Sequence, residues 1–338
     1  MKIKGDNMFF KDKKEYEDYL SKNQVSISNE NTQKYFSWSE DGEILIENSI
    51  LRKSTIDVDN YTNCLDWNML KDNETMVLLK RPFGDIYRGL SIDDYYIAIY
   101  NNILLPQIAK QLGNESAKYY IAKDKDRKNG KKIVTIDFKR KDEELIHGED
   151  ILERMGESIR ELNIQKLLDT TEDYLIEKGY YNQDIENIKK DFIKQSFFNK
   201  FIKQFDENNH NWGILVNSKL NSARIAPIYD LDCSCDIGKL SKHMRTTDNG
   251  SFNSMEQFMK QYKDEDWFEM YIKEVISKFN IEEAFKDSEE ETNTKIPVKY
   301  KQRYKDFFAV RFYELKQAYE KVFITKGENQ AEREDITK

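Results

Sequence analysis

The sequence has little cysteine, no long apolar run and one conspicuous glycine-free stretch, and each shortage excludes something. Cysteine occurs three times in 338 residues, as Cys64, Cys233 and Cys235. The count is odd and no Cys-x-x-Cys pair occurs, so a disulfide framework is not expected. Cys233 and Cys235 would make half a metal site, but no matching Cys or His set follows, and the thiols read as reduced and structural. No apolar stretch approaches the roughly 18 residues of a membrane span, and the N-terminus MKIKGDNMFFKDKKEYEDYL lacks the apolar core of a signal peptide. The expectation is a cytoplasmic protein without a membrane segment. No glycine lies between Gly42 and Gly84, so the close backbone approach of a glycine-rich phosphate loop is not visible there. Basic residues are outnumbered 54 to 62 by acidic ones, a net charge of -8, which argues against broad, direct binding of nucleic acid.

What is present is enough for a large core. Hydrophobic residues make up a modest 38%, but 13% of the chain is aromatic and each ring buries a large area. A single bilobal unit and two domains are both compatible with this length. There is no internal repeat and no low-complexity block.

The chain is organised around FDENNHNWGILVNSKLNSARIAPIYDLDCS, residues 205–234. Asp206 stands five residues before Asn211, and Asp230 closes the segment APIYD. An Asp can accept the proton of an attacking hydroxyl, while an Asn and a second Asp can share a Mg²⁺ that carries ATP phosphates. With 62 acidic residues in the chain the Asp–Asn spacing recurs by chance, so its context carries the reading. Upstream, Ile185, Ile188, Phe192, Ile193, Phe197, Phe198, Phe201, Ile202 and Phe205 repeat at helical spacing and predict a buried helix. The polar cluster begins where this stripe stops. GILVN and ARIAP then predict two strands about the turn NSKLNS, a hairpin that would return Asp230 towards Asn211.

FDENNHNWGIL followed by IAPIYDLD resembles the catalytic and metal-binding loops of the HipA-like serine/threonine kinases, a bacterial branch of the protein-kinase-like fold. The family pattern is an Asp, four residues, an Asn, an aromatic and a small residue, then a proline-containing segment ending in Tyr-Asp. The resemblance makes Asp206 the catalytic Asp and Asn211 and Asp230 the metal ligands. Asn208 stands where the family usually carries a His, and the nearest His is His210. The resemblance implies ATP and Mg²⁺ as cofactors and a protein Ser or Thr hydroxyl as acceptor. It also implies a place in a toxin–antitoxin pair, with a small DNA-binding antitoxin as partner and a translation factor as substrate.

The remaining elements are read against that resemblance. KYFSW and GEILIE predict strands. Ser54 and Thr55 follow; they can donate hydroxyls to phosphate, although an ordinary polar loop is the plainer reading. Met76 to Leu79 predict a short strand ending at Lys80, ahead of a helix starting near SIDDYYIAIYNNILLPQIAKQLG. A lysine on a rigid strand can be aimed at the α- and β-phosphates, and the alternative is a lysine that closes a strand into solvent. Its carboxylate partner would be Asp93 or Asp94, of which Asp94 is taken. Gly84 and Gly89 mark a flexible turn between strand and helix. KYYIAKD and KKIVTIDF predict a hairpin, and in a kinase-like fold it would end at a hinge where backbone groups from Thr135 to Asp137 meet adenine. FKRKDEELIHGED reads as a polar boundary in which His147 is solvated.

From Ile151 onward the pattern is helical. After Asp230 a loop takes the place of an activation or substrate segment, with His243 and Arg245 read as surface residues that could also bind phosphate. Three amphipathic helices follow, NSMEQFMKQY, DWFEMYIKEVISKFN and KYKQRYKDFFAVRFYELKQAYEKVF, with EEETNTKIP as a linker and Pro297 just before the last. The fold class is α+β, a bilobal protein-kinase-like fold. It has a strand-rich N-lobe over 1–140, a helical C-lobe over 141–325 and a charged tail over 326–338. The function read from this is transfer of the ATP γ-phosphoryl group to a hydroxyl. Two alternatives remain: a small-molecule kinase of the aminoglycoside or choline type, against which Gln204 counts because such enzymes usually have His there, and a non-catalytic nucleotide-binding scaffold.

Overall fold

Short apolar runs separated by polar turns pair into two sheets in the computed structural model, which describes residues 37–38, 44–45, 52–53, 65–69, 76–80, 91–124, 130–140, 142–157, 164–205, 209–236 and 254–324. The larger sheet contains β1 (Ser37–Trp38), β2 (Ile44–Leu45), β3 (Arg52–Lys53), β4 (Leu65–Met69), β5 (Met76–Lys80), β6 (Tyr119–Asp124) and β7 (Gly130–Ile136). Its order is β1-β2-β6-β7-β5-β4-β3. The expected hairpin is at its centre: β6 and β7 are antiparallel, and Val134 faces Tyr120 on one side and Leu79 of β5 on the other. Tyr120, Ile121, Ala122, Ile133 and Val134 are all buried, as fits strands covered on both faces. β5 ends at Lys80 as expected, with Leu65 and Ile133 as its backbone partners. β4 went unread in the sequence because Asp66 and Asn68 lower strand propensity in a segment only five residues long.

The smaller sheet is β8 (Glu144–His147), β9 (Gly213–Asn217) and β10 (Ser222–Ile225), antiparallel in the order β10-β9-β8. β9 and β10 are the hairpin expected from GILVN and ARIAP. The Asn217 side chain closes its turn by accepting from the backbone N–H of Lys219 and Leu220, both at 3.1 Å. The stretch FKRKDEELIHGED, read as a polar boundary, contains a strand. Leu145 pairs with Leu215 and Ile146 with Ile214, so apolar edge pairing draws this stretch into the sheet as β8.

The helices are α1 (Ile92–Gln111), α2 (Gly148–Arg154), α3 (Ile164–Glu177), α4 (Asn182–Ile202), α5 (Met255–Tyr262), α6 (Phe268–Lys278), α7 (Ile281–Thr292) and α8 (Val298–Tyr319), with a π-helical turn at Glu320–Ile324. Pro297 directly precedes α8, as expected. The linker expected at EEETNTKIP is shorter than that: α7 runs through Thr292 and stops where Asn293 takes a left-handed φ of 53°. Among the described residues no helix is long and apolar enough to cross a membrane.

The described residues fall into two compact units. One draws on Met1–Arg81, Ala117–Phe192 and Asn208–Tyr229. Within it, Ile146, Ile151, Tyr174, Leu175, Ile185, Ile188, Ile214, Val216 and Ala223 form a continuous core beneath the smaller sheet. The other draws on Pro82–Ser116, Ile193–Glu207 and Asp230–Lys338. Its centre is α1, where Ile97, Ile103, Leu104, Leu105 and Ile108 are buried around the helix. Phe197, Phe198 and Phe201 of α4 are also fully buried in this unit, each contributing about 2 kcal/mol by burial.

Candidate active site

The second unit holds the C-terminal part of α4, from Ile193, and the loop that begins at Asp230. The C-terminal carbonyls of α4 are met by Arg311, a buried residue of α8 whose guanidinium donates to Phe201 O at 3.0 Å and Lys200 O at 2.6 Å. Burial lowers the Arg311 pKa, opposed by Glu314 and Asp236, and these carbonyls give the cation hydrogen bonds where it is buried. Two residues past the end of α4, Gln204 reaches the Asp230 loop. Its Nε2 donates to Asp230 O at 2.7 Å, and its Oε1 accepts from the Ser234 hydroxyl at 3.1 Å. Backbone bonds from Phe205 N to Cys233 O (3.0 Å) and from Cys235 N to Ile202 O (2.9 Å) run beside it. From α1 the buried Asn101 amide donates to both Asp232 O and Ser234 O at 3.0 Å, and its own oxygen accepts from Tyr304 at 2.8 Å. Asp230 itself is half-buried with a φ of 59°. A left-handed conformation is unfavourable for most residues but is tolerated by Asp and Asn. The clips from Gln204 and Asn101 hold a backbone that would otherwise relax.

The first unit holds Asn211, which is half-buried between the end of β8 and the start of β9. The N-terminus of α2 grips this segment: Glu149 N donates to Asn209 O and Gly148 N to Trp212 O, each at 3.1 Å. Glu149 also pairs with His210 through its carboxylate. A Cβ on Gly148 would fall inside the Trp212 indole, so glycine is needed for this approach. His147, expected to be solvated, is instead half-buried at the end of β8, where its Nδ1 lies 3.0 Å from His210 O and 3.1 Å from the Tyr229 hydroxyl. Tyr229 donates to the same His210 carbonyl at 2.7 Å. Its only proton is thereby committed, so Nδ1 of His147 must carry a proton and donate.

Burial is the largest influence on His147 and lowers its pKa from the ordinary 6.5, partly offset by the His210 carbonyl and the nearby Asp150 and Glu149. Below about 6.5 the unfolded chain takes up a proton that the folded chain resists, so stability present at neutral pH is lost as pH falls. Thermal unfolding measured from pH 7 to pH 5 is expected to show a decline that is smaller in a His147→Asn variant.

The other sequence-predicted residues are placed as follows. Asp94 lies in the first turn of α1, which Ser91 caps; its carboxylate accepts from the Ser91 hydroxyl at 2.8 Å and pairs with Arg303 at 2.6 Å, while Asp93 accepts from Lys299 at 2.8 Å and Tyr300 at 3.1 Å. Both carboxylates are thus engaged within their own unit, and these partners hold Asp93 below the usual carboxylate range. Thr135 lies inside β7 and its hydroxyl donates to Lys118 O at 2.9 Å. Asp137 follows the end of β7 and accepts from Lys139 N at 3.0 Å. The side chain of Lys80, all of Asp206, Asn208, Ser54, Thr55, Gly84, Gly89, His243 and Arg245, and the tail from residue 326 lie outside the described residues. Cys233 and Cys235 are buried, and burial raises the Cys235 thiol well above the ordinary thiol range.

Four residues were missed as site residues. Arg311 left a signal, because it interrupts the apolar stripe Tyr300, Tyr304, Phe308, Leu315 and Ala318 of α8 at a core position. Tyr229 stood in the sequence only as part of the Tyr-Asp pattern, and Gln204 and His147 left no signal of their roles, since their partners lie far along the chain.

Each unit offers a hard oxygen donor, the carboxylate of Asp230 in one and the amide oxygen of Asn211 in the other, each half-buried on a loop tied down by hydrogen bonds within its own unit. That donor chemistry fits Mg²⁺, which is typically held by one or two carboxylates together with phosphate oxygens.

No protein-family model matches the sequence, and no curated protein matches it. The fold is shared with a kinase of solved structure. The chain is similar to the Helicobacter pylori proinflammatory kinase CtkA at a TM-score of 0.53 and 13% identity, over 79% of this chain and 98% of that one. It also matches HipA of the Shewanella oneidensis MR-1 toxin–antitoxin system, solved with HipB and operator DNA, at a TM-score of 0.45 and 14% identity, over 87% of this chain and 71% of that one. The mixed helix-and-sheet architecture is thus shared, at the level of fold, with a kinase.

Proposed function

We propose that the chain is an ATP- and Mg²⁺-dependent kinase that transfers the γ-phosphoryl group to a hydroxyl of a protein Ser or Thr. It would be a bilobal kinase with a strand-rich N-lobe over 1–140, a helical C-lobe over 141–325 and a tail over 326–338. The single observation that carries the reading is the Gln204 clip: a side chain two positions before Asp206 in sequence holds the Asp230 backbone at 2.7 Å. The fold shared with CtkA supports it.

In this reading Asp206 orients the acceptor hydroxyl and takes its proton, and Asn211 and Asp230 hold the metal. Lys80 would lie against the phosphates with Asp94 as its expected carboxylate, and the segment from Thr135 to Asp137 would meet adenine at its Asp137 end, because Thr135 is paired on both sides with Tyr119 and Leu78. Mg²⁺ bound there neutralises charge on the phosphates. Positioning and electrostatics carry such transfers, because the phosphoryl group asks little covalent chemistry of the protein. A small DNA-binding antitoxin as partner and a translation factor as substrate follow from the motif resemblance, and a cytoplasmic location is proposed beside them.

The test is incubation with ATP labelled at the γ-phosphate against a protein mixture and a panel of sugars and amino-alcohols. Label is expected on protein. Transfer to the small-molecule panel alone would make the chain a small-molecule kinase, and Mg-ATP binding without any transfer would make it a scaffold.

A further inference from the structure

We propose that Tyr229 and His147 are positioning residues that lock the peptide between His210 and Asn211 and so set the aim of the Asn211 side chain; this rests on the Mg-ATP reading above. The gripped oxygen is His210 O, approached by Tyr229 Oη at 2.7 Å and His147 Nδ1 at 3.0 Å, and a 3.1 Å contact between the two side chains closes the triangle. That oxygen belongs to the peptide joining His210 to Asn211. Fixing its plane restrains ψ of His210 and φ of Asn211, and hence the direction in which Asn211 projects. The carbonyls of Asn209 and Trp212 are taken by backbone N–H groups of α2, while the His210 carbonyl between them is held by side chains.

Both side chains are themselves held from behind. Backbone N–H of His147 donates to Asp150 Oδ2 at 3.2 Å, and His147 pairs with Gly213 at the end of β8. The Tyr229 ring stacks on Phe138 with centroids 5.6 Å apart and planes 20° from parallel. A hydroxyl and an imidazole so restrained grip one oxygen with little entropy left to lose, which suits a loop that must present a ligand in a fixed direction. Neither residue needs to touch the metal or the nucleotide to do this.

The experiment measures the Mg²⁺ dependence of ATP binding by calorimetry for the full chain and for Tyr229→Phe, His147→Phe and His147→Asn, with thermal unfolding alongside. Tyr229→Phe keeps the ring stack and removes only the hydroxyl. It is expected to raise the Mg²⁺ concentration for half-maximal binding about fivefold, the effect of one partly exposed hydrogen bond, with ATP affinity at saturating Mg²⁺ and the Tm nearly unchanged. His147→Phe is expected to do the same, and it carries the test should Tyr229→Phe fail to fold. His147→Asn retains a donor near the Nδ1 position and is expected to restore most of the Mg²⁺ affinity. Unchanged Mg²⁺ dependence in Tyr229→Phe and His147→Phe would overturn the lock alone, as would a shift that His147→Asn shares in full. Absence of Mg-ATP binding in the unaltered chain would overturn the kinase reading itself and the lock with it.

Discussion

Asp230→Asn is expected to reduce phosphoryl transfer on the order of 10³-fold while leaving thermal unfolding unchanged. The carboxylate is the only formal charge among the two proposed metal ligands, and its loss removes most of the electrostatic hold on Mg-ATP. The backbone does not suffer, because Asn adopts the left-handed φ of 59° as readily as Asp. The bond from Gln204 also survives, since it is made to the residue 230 carbonyl. Asp230→Ala separates charge from conformation. It should lose the same activity and in addition about 1 kcal/mol of stability, because Ala is strained at that φ. Steady-state rates with melting curves check both variants. Full activity in Asp230→Asn would remove Asp230 from the site.

Gly148→Ala is expected to destabilise the first unit by about 3 kcal/mol. The new Cβ would fall inside the Trp212 indole, which must give up its own contacts to move aside. Its other side meets Phe192 edge-on, with centroids 4.8 Å apart, and its Nε1 donates to Asn209 Oδ1 at 3.3 Å. The neighbours that give way must include the segment carrying Asn211, so metal affinity should fall together with stability. Chemical unfolding followed by tryptophan fluorescence measures the loss. A Gly148→Ala, Trp212→Leu double variant should be less destabilised than the sum of the two single changes, a coupling of at least about 1 kcal/mol. Simple additivity would show that the clash does not set the cost.

Much of this architecture was legible in the sequence, for a physical reason. The stripe from Ile185 to Ile202 has helical period and is buried as α4, and the short runs GILVN and ARIAP about a polar turn gave β9 and β10 with a side-chain-closed turn. Those signals are repeated over many residues, and packing had only to confirm them. The elements that were missed depend on few residues or on distant partners. β4 is a strand because β5 and β3 flank it, although Asp66 and Asn68 argue locally for a turn. His147 looked solvated because its neighbours Glu149 and Asp150 are acidic, yet Tyr229 and His210 O, far along the chain, enclose its ring. Gln204 entered the sequence reading only as a departure from another kinase type. In the structure that glutamine joins the end of α4 to the Asp230 loop, a role that no local pattern encodes because both of its partners lie about 30 residues away.

The most direct test of the central claim is product analysis of ATP incubated with Mg²⁺ and the unaltered chain, beside an Asp206→Ala variant. The account predicts ADP from the unaltered chain, dependent on Mg²⁺, and a loss of that product in Asp206→Ala. AMP in place of ADP would assign nucleotidyl transfer to the same fold. ADP formed equally by the variant would contradict the account, because the residue placed at the acceptor hydroxyl would then have no part in the reaction.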